Sequence, residues 1–155
     1  MARTPVLIVL LLALVVGLTG CGGSAREVTK AQYTKELERV GKVASDAGSE
    51  LGRSIDIATF NGNVGKFQDT LRDAAGDLDG LKPPPNVRDV NDRLADSLRE
   101  FADEMEPVKE ARRQSIDKAR DALGKVARSD AVKEARAAIR ELKNKGYDVQ
   151  SLNAL

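Results

Sequence analysis

The chain contains no histidine and no tryptophan, a single cysteine, two tyrosines and three phenylalanines among its 155 residues. Without histidine it lacks the usual general base, the usual zinc ligand and the side chain that titrates near neutral pH. A single cysteine, Cys21, cannot form an intramolecular disulfide, although an exported chain would enter an oxidising compartment. Few aromatics, set beside many Leu, Val and Ala and 32% charged residues, suit amphipathic helices better than β-sandwiches. Charge of one sign is also missing: 25 basic residues face 24 acidic ones, so no global field favours nucleic acid as a partner. The nucleophile elbow Gly-x-Ser-x-Gly and the phosphate-cradling patterns Gly-x-Gly-x-x-Gly and Gly-x-x-x-x-Gly-Lys are absent as well. A non-catalytic protein without nucleotide, metal or other bound cofactor is expected.

What is present begins with a targeting segment. Arg3 is the only charge before a run of apolar residues from Val6 to Val16, which is short for a membrane span of about 20 residues. Charged start and apolar run read as the n-region and h-region of a secretory signal peptide. Leu18-Thr19-Gly20-Cys21 follows at once and resembles the lipobox of bacterial prolipoproteins: Leu, a small residue, Gly or Ala, then Cys.

The resemblance implies that the Cys21 thiol receives a diacylglyceryl group and that a lipoprotein signal peptidase cuts between Gly20 and Cys21, with Leu18, Thr19 and Gly20 as its recognition residues. It further implies processing by the lipoprotein-modifying enzymes and attachment to the extracytoplasmic side of the cell membrane. Two acyl chains suffice for stable anchoring, where one is marginal. Residues 1–20 are thus read as a cleaved signal peptide, 21–28 as lipidated cysteine and short flexible tether, and 29–155 as the folded domain. Arg3 is the one charge lost on cleavage, leaving 24 basic and 24 acidic residues.

The domain shows helical periodicity throughout. Thr29 and Gln32 form a capping box, with Val28 placed to staple Tyr33. The stripe Tyr33, Leu37, Val40, Ala44, Ala47, Leu51 and Ile55 then runs down one helix face, with Gly41, Gly48 and Gly52 as candidate points of close approach. Phe60-Asn61-Gly62-Asn63 reads as a turn. A second stripe follows through Val64, Phe67, Leu71, Ala74, Leu78 and Leu81, ending at Gly80 and Pro83-Pro84-Pro85.

With Asn86 as cap, a third stripe runs from Val87 through Val90, Leu94, Leu98, Phe101, Met105 and Val108, and Pro107 predicts a kink or restart within it. Ile116, Ala119, Leu123 and Val126 form one shorter segment. Val132, Ala135, Ile139 and Leu142 form another, capped by Ser129-Asp130 and stopped at Gly146. Tyr147, Val149 and Leu152 remain as a tail fit to dock back. The predicted fold is all-α: an up-and-down bundle of three long helices plus one or two shorter C-terminal ones. Beyond the lipobox, the domain is similar to the small helical lipoproteins of actinobacteria, through the Leu-x-x-Leu-x-Pro-Pro junction from Leu78 to Pro84; that resemblance implies no activity.

Three constellations remain. Asp77-Leu78-Asp79-Gly80 matches the middle of an EF-hand loop, but that register puts Ala75 and Asn86 where the first carboxylate and the bidentate Glu belong, so a helix end is the better reading. Asp89, Asp92, Asp96, Glu100 and Asp103 line one face of the third helix. A solvated face, a match to the C-terminal helices, with 11 basic and 6 acidic residues from Ala111 onward, or a site for a cation or basic partner all fit them. Lys118, Lys125, Lys133, Arg136 and Arg140, among others, occupy several helical faces, which favours solvation over a lipid or polymer site. Two functions are therefore expected in order: an envelope lipoprotein presenting its helices to a protein partner, or one holding an apolar, lipid-like ligand between them.

Overall fold

The computed structural model describes residues 26–54 and 56–154. Leu18, Thr19, Gly20 and Cys21, together with Ile55 of the first stripe, lie outside the described residues. The described chain is all-α apart from one two-residue ladder.

Helix α1, Lys30–Gly52, starts as the sequence predicts. The Gln32 backbone N–H donates to Thr29 Oγ1 at 3.3 Å and the Thr29 N–H donates to Gln32 Oε1 at 2.9 Å, satisfying two N-terminal donors that have no partner within the helix. Tyr33, Leu37, Val40 and Ala44 are buried, while Ala47 and Leu51 pack partly exposed against the core.

The turn expected at Phe60–Asn63 lies inside helix α2, Ile57–Asp79. Asp56 starts that helix: its carboxylate accepts from the Thr59 N–H at 2.8 Å and from the Thr59 hydroxyl at 2.6 Å. Starting there places Phe60 one turn before Val64 on the core stripe, and burying an aromatic is worth about 1.5–3 kcal/mol against about 1 kcal/mol for a helical glycine such as Gly62. Asn63 serves the neighbouring helix instead, its amide donating to Glu50 O and Ser54 Oγ, both at 3.0 Å, where α1 runs out of internal donors.

Past Gly80 the chain extends. Strand β2, Leu81–Lys82, pairs in parallel with strand β1, Arg26–Glu27, so two residues read as tether are held on the domain. The three prolines then feed a 3-10 turn, Pro85–Val87, whose Val87 N–H donates to Pro84 O at 3.0 Å. That turn leads directly into α3, Arg88–Glu104, whose capping position is Val87 with no side-chain bond. Asn86 is therefore not the cap, and its Oδ1 accepts from the Tyr147 hydroxyl at 3.3 Å.

Pro107 enforces the predicted restart, because it cannot donate a helical N–H. Helix α3 stops, Met105 intervenes and α4, Glu106–Gln114, begins with the proline in its first turn. The buried amide of Gln68 donates to Ala102 O at 2.8 Å at this break. Ser115 caps α5, Ile116–Val126, and Ser129 caps α6, Asp130–Asn144. Gly146, at φ +78°, ends α6 in the left-handed region that favours glycine. The tail docks as predicted: Tyr147, Val149 and Leu152 are buried, and the 3-10 segment Gln150–Ala154 lies on α1. Helix α2 packs between α1 and α3, α3 also packs on α6, and α5 leans mainly on α4.

Candidate functional site

The end of the domain where the described chain begins is closed and polar-satisfied. The Arg26 N–H donates to Gly80 O at 2.8 Å, the Val28 N–H to Lys82 O at 3.2 Å, and Lys82 Nζ lies 3.1 Å from Glu27. Beneath this ladder the Tyr33 hydroxyl donates to Asn91 Oδ1 at 3.0 Å, and the Asn91 amide donates to Leu78 O at 3.2 Å. Burial pushes the Tyr33 phenol well above its ordinary range, and the nearby Tyr147 and Asp92 push it the same way. Tyr147 meets Tyr33 edge-on at 5.6 Å between ring centroids and carries Lys30 Nζ at 4.9 Å from its own. This network fastens α1, α2, α3 and the tail together, and its donors and acceptors answer one another.

The carboxylates singled out in the sequence are largely taken by guanidinium groups. Asp77 pairs with Arg39 and Asp79 with Arg99, on the last turns of α2, so the EF-hand-like tetrapeptide is a helix end. Among the described residues no group of three or more metal-ligating side chains stands together. Of the acidic stripe, Asp103 pairs with Arg72 of α2 at 2.7 Å and Asp96 with Arg99 of its own helix at 2.9 Å. Arg93, interleaved with those acids, reaches two carboxylates of α6: Glu134 at 2.8 Å and Glu141. In that contact α3 supplies the cation and α6 the anions, the opposite polarity to the match considered from sequence. The hydrogen bond from Arg93 is the main cause holding the Glu141 carboxyl below its ordinary range. Several of the C-terminal cations pair within their own helices, Arg120 with Asp117 and Lys133 with Asp130, both at 2.8 Å.

The opposite end of the domain is open. Here residues of α5 share the walls of a cleft with the C-terminal end of α1 and with Phe60 near the start of α2. One cleft of ≈ 230 Å³ lies among Leu51, Phe60, Arg112, Ile116, Ala119 and Leu123. A second of ≈ 260 Å³ lies among Leu51, Phe67, Phe101, Met105, Leu123 and Val126. Outside the seam, between α4 and α5, a groove of ≈ 520 Å³ is walled by Pro107, Ala111, Ala122 and Val126 under a rim that includes Lys118 and Lys125. Of the α5 stripe only Ala119 and Val126 are buried, and Ile116 is 55% exposed. The middle of the domain differs: Leu37, Val40, Leu71 and Leu94 are fully buried in one continuous core.

The clefts and their arginine escaped the sequence reading because they arise where four segments converge, and no periodicity reports that. Among the described residues no helix is long and apolar enough to cross a membrane. The chain matches no family model, no curated protein and no solved structure.

Proposed function

We propose that this chain is the precursor of a membrane-anchored, non-catalytic cell-envelope lipoprotein, lipidated at Cys21, whose up-and-down helical bundle is presented to a protein partner on the extracytoplasmic side. The observation that carries it is the run of Arg3, the apolar segment Val6 to Val16 and Leu18-Thr19-Gly20-Cys21 ending on the chain's only cysteine. Cys21 supplies the nucleophilic thiol that lipid transfer needs, and Thr19 and Gly20 are small enough for a narrow protease site.

The architecture supports a presenting role in two ways. Arg26, five residues past Cys21, is hydrogen-bonded to Gly80, and five extended steps span at most about 18 Å. Lipid at Cys21 therefore keeps the ladder end close to the bilayer, while the clefts lie at the other end of the 23-residue α1, which is about 35 Å long. The filled centre around Leu37, Val40, Leu71 and Leu94 favours use of the surface over enclosure of a ligand in the middle.

Fractionation of cells expressing the Cys21→Ala chain tests the anchor. The variant should move from the membrane to the soluble fraction, and globomycin should cause the unaltered chain to accumulate uncleaved. A Cys21→Ala chain that stays on the membrane overturns the lipid anchor. In-cell crosslinking of the lipidated protein then identifies the partner.

A further inference from the structure

We infer that the seam beneath α5 is a binding site for a single-chain anionic amphiphile, a long-chain carboxylate, with Arg112 taking the head group and the two apolar clefts taking the chain. This goes beyond the presenting role, does not depend on the lipid anchor, and gives the apolar, lipid-like ligand expected between the helices a place at the far end of the domain.

Three features lead to it. The first is shape. Both clefts, ≈ 230 and ≈ 260 Å³, are bounded by Leu51 and Leu123, so they are neighbours on the two sides of that pair. Two small neighbouring clefts suit a flexible hydrocarbon chain that can bend from one to the other.

The second is polarity. The inner cleft is walled mainly by Leu51, Phe67, Phe101, Met105 and Val126, with Arg136 the one charged residue on its wall, and burial of a hydrocarbon chain there is worth about 0.8 kcal/mol per methylene. The outer cleft is the more polar of the two, carrying Ser54, Arg112 and Arg120 against Arg136 alone in the inner one.

The third is the state of the two cations of the outer cleft. Arg120 is exposed and paired with Asp117 at 2.8 Å. Arg112 is half-buried, its guanidinium lies 5.8 Å from the centroid of the Phe60 ring, and among the described residues no carboxylate lies within ion-pair distance of it. Asp56 is its acidic neighbour, but that carboxylate is engaged with Thr59, and Arg112 adds only a minor share to the lowering of its pKa. A guanidinium held against an aromatic face keeps its outer N–H edge for a bidentate carboxylate. The helix beside the clefts is also a lightly seated one: α5 buries only two side chains and leans chiefly on α4.

The test uses the full chain with Cys21→Ser, which removes any attached lipid, titrated without detergent with cis-parinaric acid and separately with its methyl ester. Saturable binding of the acid is expected, with the ester at least about tenfold weaker because it cannot form the charged pair. Arg112→Gln should bring the acid down to the level of the ester, and Arg112→Lys should keep part of the preference. Ala119→Trp should block both probes by filling the outer cleft, and the helical circular dichroism of each variant reports that it folds. The apolar segment Val6 to Val16 could also take up the probe, but its uptake would ignore the residue at position 112. Equal binding of acid and ester, an unchanged preference in Arg112→Gln, or no saturable binding each overturns the site and leaves the membrane anchor untouched.

Discussion

Gly41 is buried on α1 because a side chain there has no room: an added Cβ would stand 2.5 Å from the carbonyl carbon of Ser151 on the docked tail. Gly52, on the same helix, has open space around the same position. These two glycines make a controlled pair. Gly41→Ala should lower stability by roughly 1–3 kcal/mol, since the 3-10 segment must move off α1 and the gain in helix propensity, at most about 1 kcal/mol, cannot offset that. Gly52→Ala should be neutral or stabilising by up to about 1 kcal/mol. Thermal or urea unfolding of both variants decides the matter, and equal effects would mean that the tail does not bear on Gly41. From sequence the three glycines of α1 were equivalent. Which one met a neighbour depended on a segment more than a hundred residues away.

At the scale of elements, the long helices were legible because each carries an uninterrupted stripe between two recognisable ends. Thr29 with Gln32, Ser129, Pro107 and Gly146 all mark boundaries where backbone chemistry leaves little choice. The misplaced turn at Phe60–Asn63 has a physical cause. Asn and Gly favour turns locally, but the Asp56 cap and the burial of Phe60 outweigh that preference, and Asn63 is used to finish α1. Buried polar residues left a weaker trace. Gln68 lies four residues after Val64 and three before Leu71, and Asn91 lies three before Leu94, so both sit in register with an apolar stripe and each was free to be read as its edge. Helix α5 is the exception in packing. Its amides should exchange with solvent at least about tenfold faster than those of α2 and α3, because an element with few buried contacts opens without the rest of the fold. Hydrogen exchange by mass spectrometry measures this, and protection of α5 equal to that of α3 would contradict a loosely seated helix.

For the whole molecule, balanced charge translates into a web of short-range pairs. The carboxyls of Asp56, Glu106, Asp130 and Glu141 are held below their ordinary range, chiefly by hydrogen bonds from Thr59, Lys109, Lys133 and Arg93 respectively. A carboxyl whose pKa is lower in the folded chain contributes stability above its unfolded pKa, near 4, and loses it as pH falls through the folded value. The melting temperature should therefore be level from pH 7 to about 5 and decline below about pH 4, and less steeply in high salt because these groups face solvent. A melting temperature unchanged down to pH 3 would show that the pairs do not bear on stability. The same whole-molecule view gives the two ends different characters. One is sealed by the ladder and the Tyr33–Asn91 network; the other is left open beneath α5.

Sequence alone determined the helical class, most helix boundaries and the long apolar stripes, and it is what the proposal of export and lipidation rests on, since all of these depend on residues close together in the chain. Periodicity, capping and a lipobox are local physics. Tertiary structure alone decided that Arg26 pairs with Gly80, that Gly41 meets Ser151, that Arg93 of α3 faces acids on α6, and that Arg112 stands over Phe60. Each joins segments from different parts of the fold, and such meetings are fixed by how the stripes pack together, which no single stripe encodes.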